Sequence, residues 1–316
     1  MAATAEPGTH PARPLTRAQR RVRDIRRLHV GRALTQLAFA ALILSAAVRH
    51  QFAERGTAAS VDALCPFGAV ETLLTWITAG HFVPKIHQSN MVLGLSVLVA
   101  TVLVGNAFCG WVCPFGALQD GLSWVRRRLR LPVVRVPQAW DRGLRWGRFV
   151  VLAVIIWMSA TTARLWFSDY DPYLTVFSLR WLFEFNARTM ALQLGILLVV
   201  VAGSLLVDRF WCRYLCPLGA VFAVVGHLSI LRIRRSPAAC TDCARCDTPC
   251  PMGIEPSKAK PFVSTDCVGC MECVVACPVP GSLRVDGPVL LGMPLRPDTL
   301  GPSRPHRTPA GTGPRP

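Results

Sequence analysis

The sequence is poor in charged residues, and lysine is especially scarce. Only 17% of its 316 residues are charged, whereas 52% are hydrophobic, and arginine carries nearly all of the formal net charge of +17. The basic residues flank apolar segments instead of forming a separate polar domain, and in that position they orient membrane helices. The composition therefore indicates a membrane protein and argues against nucleic acid as a partner.

Several functional motifs are also missing. The chain has no Cys-x-x-Cys-His motif, and no pair of histidines lies at matching depths in two apolar segments. Both absences argue against a haem protein. No DNA-binding, kinase or cyclase segment is recognisable, so the sequence does not favour a membrane-anchored redox sensor.

Four apolar stretches approach the roughly 20 helical residues that are needed to cross a hydrocarbon core. Arginines are concentrated in the basic N-terminal segment 1–30 and in the loop 109–148. By the positive-inside rule, this distribution places both termini in the cytoplasm. The sequence predicts an α-helical integral membrane protein with four transmembrane helices, at 33–48, 91–108, 149–167 and 190–207.

A fifth stretch, 214–231, also contains no Asp, Glu, Lys or Arg. As a further span it would place the C-terminal part of the chain outside the cytoplasm. However, Pro217, Gly219 and Gly226 interrupt it, and arginines flank both of its ends. We therefore predict a re-entrant or interfacial helix, which closes a membrane unit that extends over 31–235.

Eight of the 13 cysteines form two runs with the same spacing, and each run is followed by a proline. This is the bacterial ferredoxin pattern, in which three cysteines bind one 4Fe-4S cluster and the fourth reaches across to the other. A zinc module and disulfides are weaker alternatives, because zinc sites usually take two cysteines from each short loop. The crossed rule predicts one cluster on Cys240, Cys243, Cys246 and Cys277, and a second on Cys267, Cys270, Cys273 and Cys250.

These runs predict a ferredoxin-like α+β domain at 236–285. Its clusters need free thiolates and a reducing compartment, so we expect the domain to lie in the cytoplasm. The remaining segment, 286–316, is rich in proline and poor in core-forming residues, which predicts a disordered tail.

The membrane unit contains an internal repeat. The sequence FCGWVCPFGALQD follows the second apolar stretch and FWCRYLCPLGAVF follows the fourth, with an offset of 103 residues. The four transmembrane helices are therefore predicted to form a duplicated helix pair. Each half carries a Cys-x-x-x-Cys-Pro motif, comprising Cys109 and Cys113 in the first half and Cys212 and Cys216 in the second.

Proline disfavours helical geometry in the preceding residue and is favoured in the first turn of a helix. Cys113 and Cys216 are therefore predicted to lie at helix starts, where the helix dipole stabilises a thiolate. The four repeat cysteines are candidates for a further metal or cluster site or for a dithiol–disulfide pair. The alternative is that they are buried small residues that pack tight helix junctions.

Cys65 opens a third, partial copy of the motif, CPFGAVETL, in the first outer loop. It is either a helix cap or a thiol that faces a substrate or exchanges disulfides. Oxidation of a quinol releases protons and requires a base. Candidate proton acceptors near the outer interface are His50, His81, His87, Asp169, Tyr170 and Asp171.

Together, CGWVCPFGALQD, CRYLCPLGA, CPFGAVETL and the paired ferredoxin runs resemble the polyferredoxins of the NapH and NosR type, over about residues 30–285. The resemblance implies a multi-pass protein of the bacterial inner membrane with cytoplasmic clusters. Such a protein passes electrons between the quinone pool or cytoplasmic donors and an extracytoplasmic acceptor. It acts with redox partner proteins, as an electron-transfer subunit and not as a stand-alone enzyme.

Two departures from relatives narrow this expectation. The chain has no room for the large extracytoplasmic flavin-binding domain of NosR-type members, and its tail does not resemble the immunoglobulin-like domain of oxidase-assembly members. A compact electron-transfer subunit is therefore the leading hypothesis. The alternative is an assembly factor whose thiols bind or reduce a metal such as copper, since soft thiolates suit Cu(I).

Overall fold

The computed structural model describes residues 17–52, 61–79, 89–134, 136–162, 166–183, 186–260, 262–279, 281–286, 289–290 and 293–294. Residues 1–16, the loop histidines His81 and His87, and most of the predicted tail lie outside the described residues. The α-helices are α1 Arg17–Phe52, α2 Pro66–Ala79, α3 Ser89–Val104, α4 Ala107–Trp111, α5 Pro114–Arg128, α6 Gln138–Leu144, α7 Gly147–Thr162, α8 Pro172–Phe177, α9 Arg180–Phe183, α10 Ala187–Leu206, α11 Phe210–Tyr214, α12 Pro217–Val225 and α13 Glu272–Ala276. The strands are β1 Arg232–Arg235, β2 Leu283–Asp286, β3 Val289–Leu290 and β4 Met293–Pro294.

Each predicted span coincides with a helix, but the helix ends differ from the predicted ends. Helix α1 extends well beyond 33–48 on both sides and includes part of the basic N-terminal segment. Helix α3 ends at Val104 because Gly105 adopts a left-handed backbone conformation, with φ of 68°, and α4 begins after it. Helix α7 ends at Thr162, earlier than the predicted boundary at 167.

Two helical stretches of the described chain, Arg23–Phe52 and Gln138–Thr162, are long and apolar enough to cross a membrane by length and composition. The other predicted spans correspond to shorter apolar helices, Asn90–Val104 and Met190–Leu206. The stretch 214–231 forms α12 and a 3-10 turn that ends at Leu228. The four-span arrangement and its orientation therefore stay predictions.

Large apolar side chains on these helices point away from the protein core. Leu37 of α1 is 65% exposed, Trp157 of α7 is 70% exposed and Leu198 of α10 is 69% exposed. Helix α3 has the same character, since Val92 and Leu95 are also exposed. Exposed apolar surface of this extent marks a surface that contacts lipid or another protein.

Within the described part of the predicted membrane unit, four helices begin at a proline, and each of these prolines follows a cysteine or an aspartate. They are α2, α5, α8 and α12. Helices α2 and α12 both pack against α3 and α7, and α5 and α8 both pack against α10. The helix starts are thereby collected around one core, which includes Phe67, Phe115, Leu174 and Trp211.

The ferredoxin-like domain is closed by an antiparallel pair of strands, in which Ile233 of β1 lies opposite Val285 of β2. The folded unit therefore begins at Arg232, slightly before the predicted boundary at 236. Its small core contains Ile233, Val263 and Leu283 together with cluster-motif cysteines. Beyond the predicted boundary at 285, β2 runs to Asp286 and β3 pairs with β4, while the rest of the segment predicted to be a disordered tail lies outside the described residues.

Candidate redox site

A central, mainly apolar cavity of about 180 Å³ lies where the two halves of the repeat meet. Its walls include aromatic side chains such as Phe115, Trp211 and Phe222. Five cysteines line it, namely Cys65, Cys109, Cys113, Cys212 and Cys216, together with the polar residues Asn106, Arg148, Asp171 and Asp266. The structure thus brings the four repeat cysteines together and adds Cys65 and Asp171 to them.

The second cysteine of each repeat motif occupies a helix start, as the prolines predict, whereas Cys109 and Cys212 lie inside α4 and α11. Cys113 precedes α5 and Cys216 precedes α12, and both have extended backbones, with ψ of 116° and 115°. The Gly219 N–H donates a hydrogen bond to Cys216 Sγ over 3.4 Å. The two predicted helix starts are confirmed, and Cys216 Sγ accepts from one of the backbone N–H groups that a helix start leaves without partners.

The glycine of the Cys-Pro-x-Gly sequence has a packing role in the first half. A Cβ on Gly116 would lie 2.7 Å from the Cys109 carbonyl oxygen, so the helix can approach the preceding turn only with glycine there. In the second half, a Cβ on the corresponding Gly219 would lie 3.3 Å from the Cys212 carbonyl oxygen. Close approach of each turn to the next helix keeps the two cysteines of a motif on the same cavity.

The ferredoxin cysteines line two separate small cavities in the crossed grouping. Cys277 shares one cavity with the first three cysteines of the first run, whereas Cys250 shares the other with three cysteines of the second run. The first group is Cys240, Cys243, Cys246 and Cys277, and the second is Cys250, Cys267, Cys270 and Cys273. The donors of each predicted cluster are therefore neighbours, and their binding of iron is a proposal.

The chemistry of these donors fits iron–sulfur clusters. Burial raises the pKa of Cys267 to about 12, so a thiolate there requires a compensating positive charge, which bound iron supplies. Within the described ranges, no three His, Cys, Asp or Glu side chains are grouped closely enough to hold one metal ion. A cubane differs from a mononuclear site because each cysteine binds a different iron, so its donors surround a larger volume.

The second ferredoxin cavity adjoins the central cavity. Met252 and Val268 line both of them. These two residues form a small buried cluster with Cys270, against which Cys109 and Cys250 pack. A cysteine of the first repeat motif thus lies beside cysteines of the second ferredoxin group. Pro256 in turn lines both ferredoxin cavities, so the three cavities form a series.

The first repeat half contacts the cluster loop through its backbone. A Cβ on Gly110 would collide with the carbonyl oxygen of Val268. Next to it, Trp111 donates a hydrogen bond from Nε1 to the Gly269 carbonyl oxygen over 3.0 Å. The contact places the loop that carries Cys267 and Cys270 directly on the first Cys-x-x-x-Cys motif.

A buried ion-pair network lies beside this contact. Arg209 is fully buried, donates two hydrogen bonds to Asp120 at 2.8 and 2.7 Å, and donates a third to the Cys109 carbonyl oxygen at 2.9 Å. Arg32 of α1 bridges Asp120 and Glu272 at 2.7 and 2.8 Å. Burial raises the pKa of Asp120, but the two arginines outweigh this effect and hold that pKa below its ordinary value.

A second buried ion-pair network holds the segment that follows Cys250 and the start of the loop that carries Cys267. Asp141 accepts hydrogen bonds from Arg213, Arg145 and the Tyr214 hydroxyl. Arg145 also donates to the Met252 carbonyl oxygen at 2.6 Å and to Asp266 at 3.1 Å. Buried charges of this kind are tolerated only when they are paired and hydrogen-bonded. The ferredoxin-like domain is therefore fixed on the helices by arginines.

Sequence reasoning missed several of these residues. It named Asp171 only as a proton acceptor near the outer interface, whereas the side chain is 5% exposed and lines the central cavity. It placed His50 in the same group, and His50 lies exposed near the end of α1. The helix-cap interpretation of Cys65 agrees with its place before α2, but the thiol also faces the cavity. Asp120 could have been singled out from the sequence, because it is an acidic residue within the first repeat motif and the chain has few acidic residues.

Comparison with protein families finds 4Fe-4S domains in the parts of the chain that carry these cysteines. A 4Fe-4S binding domain model matches twice, at residues 86–132 and 190–236, and a 4Fe-4S dicluster domain model matches residues 232–278. The chain is 29% identical to YccM of Escherichia coli over 225 residues, 37% identical to NirI of Paracoccus denitrificans over 184, and 28% identical to the ferredoxin-type protein NapH of Haemophilus influenzae over 190. These similarities support a NapH/NosR-type polyferredoxin family.

The double match of one model agrees with the repeat, because each matched segment contains one Cys-x-x-x-Cys-Pro motif. The matches cover 71% of the chain with YccM, 56% with NirI and 57% with NapH. They span 62% of YccM, 26% of NirI and 62% of NapH, so the chain corresponds to only part of these relatives. No solved structure matches the chain significantly.

Proposed function

We propose that this polyferredoxin is an integral membrane electron carrier with two ferredoxin-type 4Fe-4S clusters and a third, thiolate-bound redox centre in the central cavity. The two crossed cysteine groups hold the clusters, and Cys109, Cys113, Cys212 and Cys216 hold the third centre. When bound, such centres supply one-electron transfer. The carrier connects the quinone pool or cytoplasmic donors with a respiratory or extracytoplasmic acceptor.

The observation that carries this proposal is the series of three cysteine-lined cavities. Neighbouring cavities share wall residues, namely Pro256 between the two ferredoxin cavities and Met252 and Val268 at the central one. A soluble ferredoxin requires only the first two. The packing of Cys109 against Cys270 and its neighbours supports an extension of the path into the helical unit.

The protein's own side chains prepare the central site for redox chemistry. The mainly apolar and aromatic walls lower the local dielectric constant, which strengthens electrostatic interactions inside the cavity. The Arg209 guanidinium lies close enough to Cys212 and Cys270 to interact with both thiols. A fixed positive charge stabilises the reduced, more negative form of a cluster, so we expect Arg209 to raise the reduction potentials of its neighbours.

The membrane location rests on the exposed apolar faces of α1, α3, α7 and α10. These helices correspond to the four predicted spans, and two of them belong to stretches long enough to cross a bilayer. We propose that all four cross the membrane with the ferredoxin-like domain in the cytoplasm. A topology reporter fused after residue 235 tests this orientation, because activity of an extracytoplasmic reporter there would contradict it.

Iron and sulfide analysis of protein purified anaerobically tests the number of centres. Two cubanes contain about eight irons per chain. We expect a clear excess over eight, together with a third electron paramagnetic resonance (EPR) signal on stepwise reduction. The excess iron and the third signal should both disappear when the four repeat cysteines become serine, while the ferredoxin signals persist.

Two outcomes would contradict this picture. Fewer than four irons per wild-type chain would refute the ferredoxin clusters. An iron content of about eight, unchanged in the fourfold serine variant, would refute the third centre. Copper is measured in the same samples, and stoichiometric copper that depends on the four repeat cysteines would favour an assembly factor instead.

A further inference from the structure

We propose that Cys65 and Asp171 are additional donor side chains of the central redox centre, so that each half of the repeat contributes three donors. This inference rests on the proposed third centre. It extends the ligand set from four thiols to five thiols and one carboxylate. The ligand is an iron–sulfur centre bound by both kinds of donor.

The first argument comes from the repeat. Cys65-Pro66-Phe67 begins α2 in the first half, and Asp171-Pro172-Tyr173 begins α8 in the second. Asp171 lies three residues from the position that the offset of 103 assigns to the counterpart of Cys65. Both prolines stand at the first helical position and are followed by an aromatic residue. The two segments are therefore equivalent parts of the duplicated unit, with cysteine in one and aspartate in the other.

The second argument is the position of the two side chains. Both are buried, at 8% and 5% exposure, and both line the cavity that contains the four repeat cysteines. Cys65 Sγ lies 3.9 Å from Asp171 Oδ2. The other carboxylate oxygen, Oδ1, accepts a hydrogen bond from the Tyr173 N–H at 2.9 Å, which fixes the orientation of the group.

Neighbouring contacts hold this wall of the cavity rigid. Phe67 and Phe167 pack edge to face with ring centroids 5.4 Å apart. Glu71 of α2 accepts hydrogen bonds from Ser159 Oγ at 2.7 Å and from the Phe167 N–H at 3.1 Å. These contacts tie α2 to the segment before α8. Donor groups are effective only when surrounding packing fixes them in this way.

Helix capping accounts for the hydrogen bond that Asp171 Oδ1 accepts from the Tyr173 N–H. It does not account for the position of both side chains on the wall of the cavity that contains the four repeat cysteines. Thiolates and carboxylates are both established ligands of iron, so one metal centre can bind both residues.

The test uses the full-length protein with Cys65→Ser and Asp171→Asn, and Leu64→Ala serves as a control because Leu64 lines the same cavity and carries no donor. Iron content and EPR spectra are the readouts. We expect Cys65→Ser to remove the irons of the third centre or to change its g values, and Asp171→Asn to change the g values. Leu64→Ala should leave iron content and spectrum as in the wild type, and the ferredoxin signals should persist in all three proteins.

Loss of the ferredoxin signals in Cys65→Ser would show that this variant is misfolded. The proposal is then tested with Asp171→Cys. Cysteine occupies the equivalent position in the first half, so we expect this variant to fold and to show an altered third signal. Unaltered third signals in Asp171→Cys and Asp171→Asn would overturn the proposal.

The two proposals fail in different ways. A third signal that needs the four repeat cysteines but is identical in Cys65→Ser and Asp171→Asn would overturn only the additional donors. Absence of any third signal in the wild type would overturn the third centre and the additional donors together.

Discussion

The two halves of the repeat carry the same cysteine motif but contact the ferredoxin-like domain by different means. In the first half, Gly110 and Trp111 lie on the backbone of the cluster loop. The corresponding residues of the second half, at the offset of 103, are Arg213 and Tyr214, and both bind Asp141. The chain has one ferredoxin-like domain and two repeat halves, so two identical halves could not both dock on it in the same way.

The buried ion pair shows the same divergence. Arg209 comes from the second half and Asp120 from the first, while their counterparts at the same offset are Asn106 and Ala223. Asn106 donates a hydrogen bond to the Thr265 carbonyl oxygen of the cluster-bearing domain. The two halves thus share their motif cysteines but differ in the residues around them, and together they form one asymmetric docking surface.

Among substitutions that test this asymmetric docking, Asp120→Ala is expected to have the largest effect. The change leaves Arg209 buried without its carboxylate and also removes a partner of Arg32. Loss of one member of a buried ion pair costs about 3–5 kcal/mol. We expect a large fall in Tm, measured as the temperature at which cluster absorbance is lost. Glu255→Ala, which removes only the surface pair with Lys258, is the control and should change Tm little.

Tyr214→Phe tests the docking of the second half. It removes the hydroxyl that donates to Asp141 Oδ1 at 2.7 Å, and hydrogen bonds to charged groups contribute about 1.5–3 kcal/mol. We expect faster hydrogen exchange in peptides that contain Met252 and a lower Tm. Tyr170→Phe provides a comparison away from Asp141. Equal exchange in the two variants would show that the hydroxyl does not hold the loop.

Gly110→Ala tests the docking of the first half. The added methyl group would collide with the Val268 backbone, and overpacking of this kind costs about 1–3 kcal/mol. We expect faster exchange around residues 265–272 and a lower Tm. Gly121→Ala in α5 is the matched control, because no atom lies within 4 Å of the new Cβ and alanine favours the helix. Its Tm should stay equal or rise, and a fall in Tm equal to that of Gly110→Ala would refute the contact.

Trp111→Phe should have the smallest effect. It removes the Nε1–H donor to the Gly269 carbonyl oxygen, which is a neutral hydrogen bond and contributes about 0.5–1.5 kcal/mol. We expect a small fall in Tm with exchange confined to the loop at Gly269. A fall larger than that of Tyr214→Phe would reverse the ranking of the two docking contacts.

Much of the candidate site could be predicted because it depends on local rules. Proline after Cys113 and Cys216 disfavours helix before it and favours helix after it, so those helix starts follow from adjacent residues. The spacing of the ferredoxin runs predicted the crossed grouping that lines the two small cavities. Helix ends were less predictable, as at Gly105, because a left-handed residue can stop a helix inside an apolar stretch.

The sequence by itself determined the repeat, the helix starts and the two groups of ferredoxin cysteines, since each depends on short-range spacing. Tertiary structure alone decided that Asp171 faces Cys65, that Arg209 pairs with Asp120, and that Cys109 lies beside Cys270. These partners are far apart along the chain. They meet because α2, α5, α8 and α12 pack around one cavity, where a buried charged or polar side chain is stable only beside a partner. Residue spacing along the chain does not reveal how these helices pack.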